Sequence, residues 1–133
     1  MTVWQVVYAD WEMECCGTPF SVGDEVTWTV GPHGGVGPDV PEGALCVSNH
    51  SMGGSEAEQV TAYVRSIQVM TVEFAQASGT SVYEPVPGRL RLRPVRRCPK
   101  WFSREADRTG GPDRPGHESR ATGVLVELEG PGG

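Results

Sequence analysis

"VTAYVRSIQVMTVEFAQ", residues 60–76, is the longest run with strand character in the chain and decides the fold class. Its apolar residues alternate with polar ones up to Arg65-Ser66, where the parity breaks before resuming. Successive side chains of a strand point to opposite faces, so this pattern predicts one long strand with a bulge or bend at the break. The apolar composition of the whole chain agrees. Valine occurs 18 times, leucine 5 times and isoleucine once. Val is stiff at χ1 and fits a pleated surface better than a helical turn.

Upstream, "TVWQVVYADWEME" (2–14) reads as a long first strand. Trp4, Val6 and Tyr8 share one face, and Asp10, Glu12 and Glu14 continue the same parity as acids. An edge position or a bulge near Ala9 would reconcile the two halves. "CCGTPF" (15–20) turns the chain, and "FSVGDEVTWTV" (20–30) supplies a Gly23-Asp24 turn feeding a strand with Val26, Trp28 and Val30 on one face. Residues 31–59 are rich in Gly, Pro and Ser without sustained period and predict a long loop, with a short helix at Ser55–Gln59 as a minor alternative.

Downstream, a turn at Ser78-Gly79 precedes two short strands, "SVYEPVPG" (81–88) and "RLRLRPV" (89–95). Residues 103–121 carry charge, Gly and Pro with almost no apolar content and predict a mobile loop. "TGVLVELE" (122–129) closes the sheet, and 130–133 form a disordered tail. These elements predict a mainly β chain. They form one domain over 1–129, a small β-barrel of SH3-like or OB-like scale with long Gly/Pro-rich loops.

The formal net charge is −6, which disfavours a globally basic nucleic-acid binder because duplex binding works by displacing counterions. The charge is polarised along the chain. Residues 1–30 contain Asp10, Glu12, Glu14, Asp24 and Glu25 without Lys or Arg, whereas 89–104 contain six Arg and Lys100 without an acid. The N-terminal stretch lacks the charged and apolar regions of a signal peptide, and no apolar run is long enough to span a bilayer. A cytoplasmic protein without membrane contact is expected, and there four cysteines are read as free thiols, metal ligands or redox groups rather than a disulfide framework.

"ADWEMECCGTPFSVGDEVTW" (9–28) resembles the opening of an uncharacterised actinobacterial family of unknown function, which shows Asp-Trp-Gln-Met-Gln-Cys-Cys-Gly, then Pro-Phe and a Val-x-Trp strand. "VTAYVRSIQVM", "YEPVPG" and "TGVLVELE" are similar to its later segments. The family tends to carry a His pair in the long loop, onto which His50 maps, with Asn49 at the other place. The resemblance implies a bacterial source and a single domain, and no activity.

Two constellations carry chemistry. Zinc takes about four thiolate or imidazole ligands at tetrahedral positions, commonly from pairs two to four residues apart. Cys15 and Cys16 are adjacent, so a zinc site would need Cys46 and His50, three intervening residues apart on the long loop, to fold back over the corner. Buried or structural thiols, one facing the sheet and one outward, are the plainer expectation, since a bridge between neighbours closes a small ring. The second constellation is Arg89, Arg91, Arg93, Arg96, Arg97, Lys100 and Trp101. Alternation sets Arg89, Arg91 and Arg93 opposite Leu90 and Leu92, and this cationic face with Trp101 suits the backbone and bases of a single strand. Internal pairing with Asp10, Glu12 and Glu14 competes with that reading. No nucleophile elbow or P-loop is present. The expectation is a non-enzymatic binding module with a protein partner, no cofactor expected and no catalytic residue assigned. A zinc- or thiol-dependent protein and a single-stranded nucleic-acid binder are the alternatives.

Overall fold

The computed structural model describes residues 2–32, 40, 41, 43–48, 58–109 and 115–130. The elements are β1 Thr2–Ala9, α1 Asp10–Cys16, β2 Glu25–Pro32, β3 Leu45–Val47, β4 Glu58–Gln76, β5 Tyr83–Pro85, β6 Arg91–Val95, α2 Glu105–Thr109 and β7 His117–Gly130. All seven strands belong to one sheet. β2 pairs with β3, β3 runs parallel to β1, β1 pairs with β7, β7 with β4, and β4 returns to β2. Five strands therefore follow one another in a ring, while β5 and β6 attach to the later part of β4.

β4 is the hub because its two halves serve different neighbours. Glu58–Tyr63 pair with β2, and from Tyr63 onward the strand pairs with β7. The register shifts between Val64 and Ser66, where the alternation breaks in the sequence. One extra residue there changes the parity, so that Val60, Ala62 and Val64 before it and Ile67 and Val69 after it all face the same core. That core also takes Val6 and Tyr8 from β1, Val124, Val126 and Leu128 from β7, and Met13, Phe20 and Phe102. A smaller cluster takes Val7, Met70 and Leu125 from the opposite faces of these strands, with Ala44 from just before β3.

Several segments depart from the sequence reading. The first strand ends at Ala9, and Asp10–Cys16 form a helix instead of its acidic continuation. Ala9 is the last residue of β1 in register with β7, opposite Gly123. Beyond it the chain turns inward and buries Met13 completely. Asp10 and Glu12 occupy the first helical turn, where the helix dipole favours negative charge. An alternation of acids mimics a strand, but the same spacing also puts Asp10 and Glu14 on one helix face.

The expected loop at 31–59 contains β3, which fills the gap between β1 and β2 with three residues. Three residues are too few to display a period. The expected helix at Ser55–Gln59 falls outside the described residues except at its end, where Glu58 and Gln59 begin β4. Residues 103–121 are also not one loop, since α2 occupies part of the stretch and β7 begins at His117. Polar contacts, which an apolar count does not register, help to secure both. Arg93 and Arg108 both bind Glu105 of α2, at 2.7 and 2.6 Å. His117 Nδ1 lies 2.7 Å from Glu73 Oε2 on β4.

Candidate functional site: the α1 corner and its cleft

α1 is pinned to the body at both ends of its last turn. Gly17 N–H donates to Met13 O at 3.0 Å and closes the helix. The Lys100 ammonium donates to Met13 O at 2.7 Å and to Gly17 O at 3.0 Å. The ammonium is a second donor to Met13 O and a donor to Gly17 O just past the helix, and it opposes the helix's negative end. Phe102 N–H donates to Glu14 Oε2 at 2.9 Å, so the segment after β6 grips α1 through two kinds of polar contact.

Cys15 and Cys16 both lie exposed on this turn and are joined to one another as a disulfide. The expected division into one sheet-facing and one outward thiol does not hold, because Met13 already fills the core-facing position of the turn. Gly17 then passes under Tyr8. A Cβ at that position would lie 2.6 Å from the Tyr8 hydroxyl and 2.9 Å from Met13 Cα, a packing that only glycine permits.

A cleft of about 450 Å³ opens beside the corner, between Cys16–Phe20 and the start of β2. Three aromatic rings lie against it, Tyr8 and Phe20 buried and Trp28 half-buried. The rings of Phe20 and Trp28 meet edge to face at 4.8 Å, Tyr8 and Trp28 do so at 5.2 Å, and Tyr8 stacks with Phe20 at 5.9 Å. The rim carries Asp24 and Glu25, both exposed. Asp24 Oδ2 also accepts from Ser21 N–H at 2.8 Å, which shapes the turn into β2. The sequence reading placed Trp28 on a strand face but did not gather these three rings. Their meeting depends on the turn at 17–24, which brings Phe20 back over β1.

The remaining cysteines occupy different settings. Cys46 lies on β3 beside Val7 of β1 and packs against the smaller cluster. Cys98 is buried, its thiol donates to Pro99 O at 3.4 Å, and burial pushes its pKa up to about 12, with Arg97 opposing and Glu105 adding to the shift. His50 falls outside the described residues. Among the described residues no group of three or more His, Cys, Asp or Glu is placed to hold a metal ion.

Three cations of the Arg89–Trp101 segment are committed to groups within the chain. Arg93 donates to Glu105 and to Thr109, Arg97 to Ser21, and Lys100 to the end of α1. The acidic partner of Arg93 is therefore Glu105, not the N-terminal acids. Arg89, Arg91, Arg96 and Trp101 are exposed, Trp101 at 65%. Leu90 packs against the smaller cluster as expected, whereas Leu92 is 40% exposed. On the far side of α1 a hollow of about 280 Å³ is bordered by Asp10, Glu14, Phe102 and Arg120. Burial there raises the pKa of Asp10, against the lowering effect of the Trp11 backbone hydrogen bond.

Ring of strands, helical corner and cleft together define a small, mainly β domain with a cleft at one end of β1 and β2. The chain belongs to the family of unknown function DUF6578, whose pattern it matches over residues 2–130. Comparisons with curated proteins and with solved structures return no match. Among the described residues, no helix is long and apolar enough to cross a membrane.

Proposed function

We propose that this domain is a non-enzymatic binding module, a small barrel of SH3-like or OB-like scale, whose cleft beside α1 takes a basic segment of a protein partner. The observation that carries this reading is the cleft itself, which sets the half-buried Trp28 ring beside an acidic rim. Recognition sites are typically concave and apolar with a few polar groups that fix orientation, and buried aromatic residues supply much of their binding energy. Asp24 and Glu25 at the mouth select for positive charge. A side chain such as arginine satisfies both features, stacking on a ring while its guanidinium meets a carboxylate. The Arg89–Trp101 segment offers less to a nucleic-acid strand, because Arg93, Arg97 and Lys100 already donate to groups within the chain.

The test is NMR titration with short blocked peptides that pair arginine with an aromatic residue, followed at the Trp28 indole and the Thr18 and Phe20 amides. Saturable shifts at those positions are expected, together with weaker binding by Glu25→Lys and none of an acidic peptide. Shifts that are absent at millimolar peptide, or that fall instead on Arg89 and Arg96, would overturn the reading.

A further inference from the structure

Of the four cysteines, two sit where exchange chemistry can reach them. Cys15 and Cys16 are exposed, consecutive and joined, on a turn that projects from the sheet. Cys98 is buried with a thiol that stays protonated, and Cys46 is half-buried against the second cluster. Lys100 places its ammonium on Met13 O and Gly17 O, the carbonyls on either side of the two cysteines, and so holds the turn through contacts that do not involve the sulfurs. Cys16 finally borders the aromatic cleft, and the next residue, Gly17, is wedged beneath the Tyr8 hydroxyl.

We propose that Cys15 and Cys16 form a reversible dithiol–disulfide pair, a site of exchange with low-molecular-weight thiols, whose state sets the shape of the cleft rim. In the reducing direction a small thiolate attacks one Sγ, the bond between the cysteines breaks, and the other sulfur leaves as a thiolate and takes a proton from solvent. A second small thiolate then attacks the sulfur of the bound small thiol. This releases the small disulfide and the second cysteine thiolate, which is protonated in turn. Two electrons and two protons pass to the protein, and two small thiols become one disulfide. Oxidation runs the same steps backwards and consumes a small disulfide. The bridge closes a ring within two adjacent residues, so it restricts the unfolded chain little. Opening it frees the rim without releasing the fold, which Met13 and Lys100 hold independently. The bearing of this switch on binding rests on the cleft reading above, but neither readout below requires a ligand.

Full-length protein is equilibrated across ratios of reduced to oxidised dithiothreitol, quenched in acid, and alkylated with N-ethylmaleimide in denaturant for intact mass and peptide mapping. The expected result is two labels, on Cys46 and Cys98, at oxidising ratios and four at reducing ratios. Cys15→Ser should carry three at every ratio. Reduced protein should also bind one phenylarsenic(III) group, which needs two neighbouring thiols, and Cys15→Ser should not. Four labels on the parent protein under all conditions, or a bridge that maps to Cys46, would overturn the exchange site. For the rim, amide shifts of Gly17 and Thr18 and the Trp28 indole should move between the two states. The same reductant should leave Cys15→Ser unmoved. Identical spectra for oxidised and reduced parent protein would overturn that half of the proposal.

Discussion

Gly123 shows how much one residue can settle. It faces Ala9 at the end of the β1–β7 pairing, with φ of +149°, a backbone region that other residues rarely adopt. A Cβ there would run into the Tyr8 carbonyl oxygen. Gly123→Ala is expected to cost about 1–3 kcal/mol, read as a lower midpoint of chemical denaturation with an unchanged slope. Asp10 supplies a second prediction at this scale. Burial raises its pKa in the folded state above the ordinary 3.8, so the folded protein holds that proton more tightly than the unfolded chain. Stability attached to this group is present at low pH and declines as pH rises from about 3.8 through the folded value. Asp10→Asn removes the titration. Urea denaturation from pH 3 to pH 7 should therefore show the variant gaining on the parent as pH rises, and parallel curves would exclude Asp10 as the source.

Elements differ in how they announce themselves. β4 was legible because its apolar residues alternate, and even its bulge was marked by the break at Arg65-Ser66. α1 was not, since seven residues give less than two helical turns and the acids at every second position imitate a strand. What makes it a helix is tertiary: Met13 fills the end of the core, and Lys100 closes the last turn from 87 residues away. α2 is the clearest case of order without hydrophobicity. Glu105 is 5% exposed and lies between Arg93 of β6 and Arg108 of its own helix. Removing one partner of a buried pair leaves the other uncompensated. Glu105→Ala is therefore expected to cost about 3 kcal/mol and to release α2, seen as faster amide exchange at Ala106–Thr109. Arg93→Leu combined with Glu105→Leu should recover part of that loss, because the pair is then removed together.

At the scale of the whole molecule, the mainly β class followed from valine content and alternation, and the expected barrel is met in part by a ring of strands in one sheet, whose order the sequence did not show. Its closure needs β3, a three-residue strand inside a Gly- and Pro-rich stretch, and the parallel alignment of Leu45 and Cys46 with Val6 and Val7. Neither feature leaves a periodic trace. The cleft was hidden for a related reason. Tyr8, Phe20 and Trp28 come from two strands and a turn, and each alone reads as an ordinary core residue. The cysteine pair was visible from the beginning, yet its exposure and its contact with the cleft depend on how α1 leaves the sheet.

The pairing of β1 with β7 has a consequence for chain connectivity. Thr2 and Gly130 are cross-strand partners, and directly opposed residues of an antiparallel pair lie only about 5 Å apart. A linker of a few glycines can join them while new termini are opened elsewhere, and the exposed turn around Gly79, between β4 and β5, is the natural place to cut. A circular permutant beginning at Thr80 should fold with the parent's near-UV circular dichroism and a melting temperature lowered by a few degrees. If the permutant stays unfolded, the order in which β1 meets β7 matters to folding in addition to the contacts they finally make.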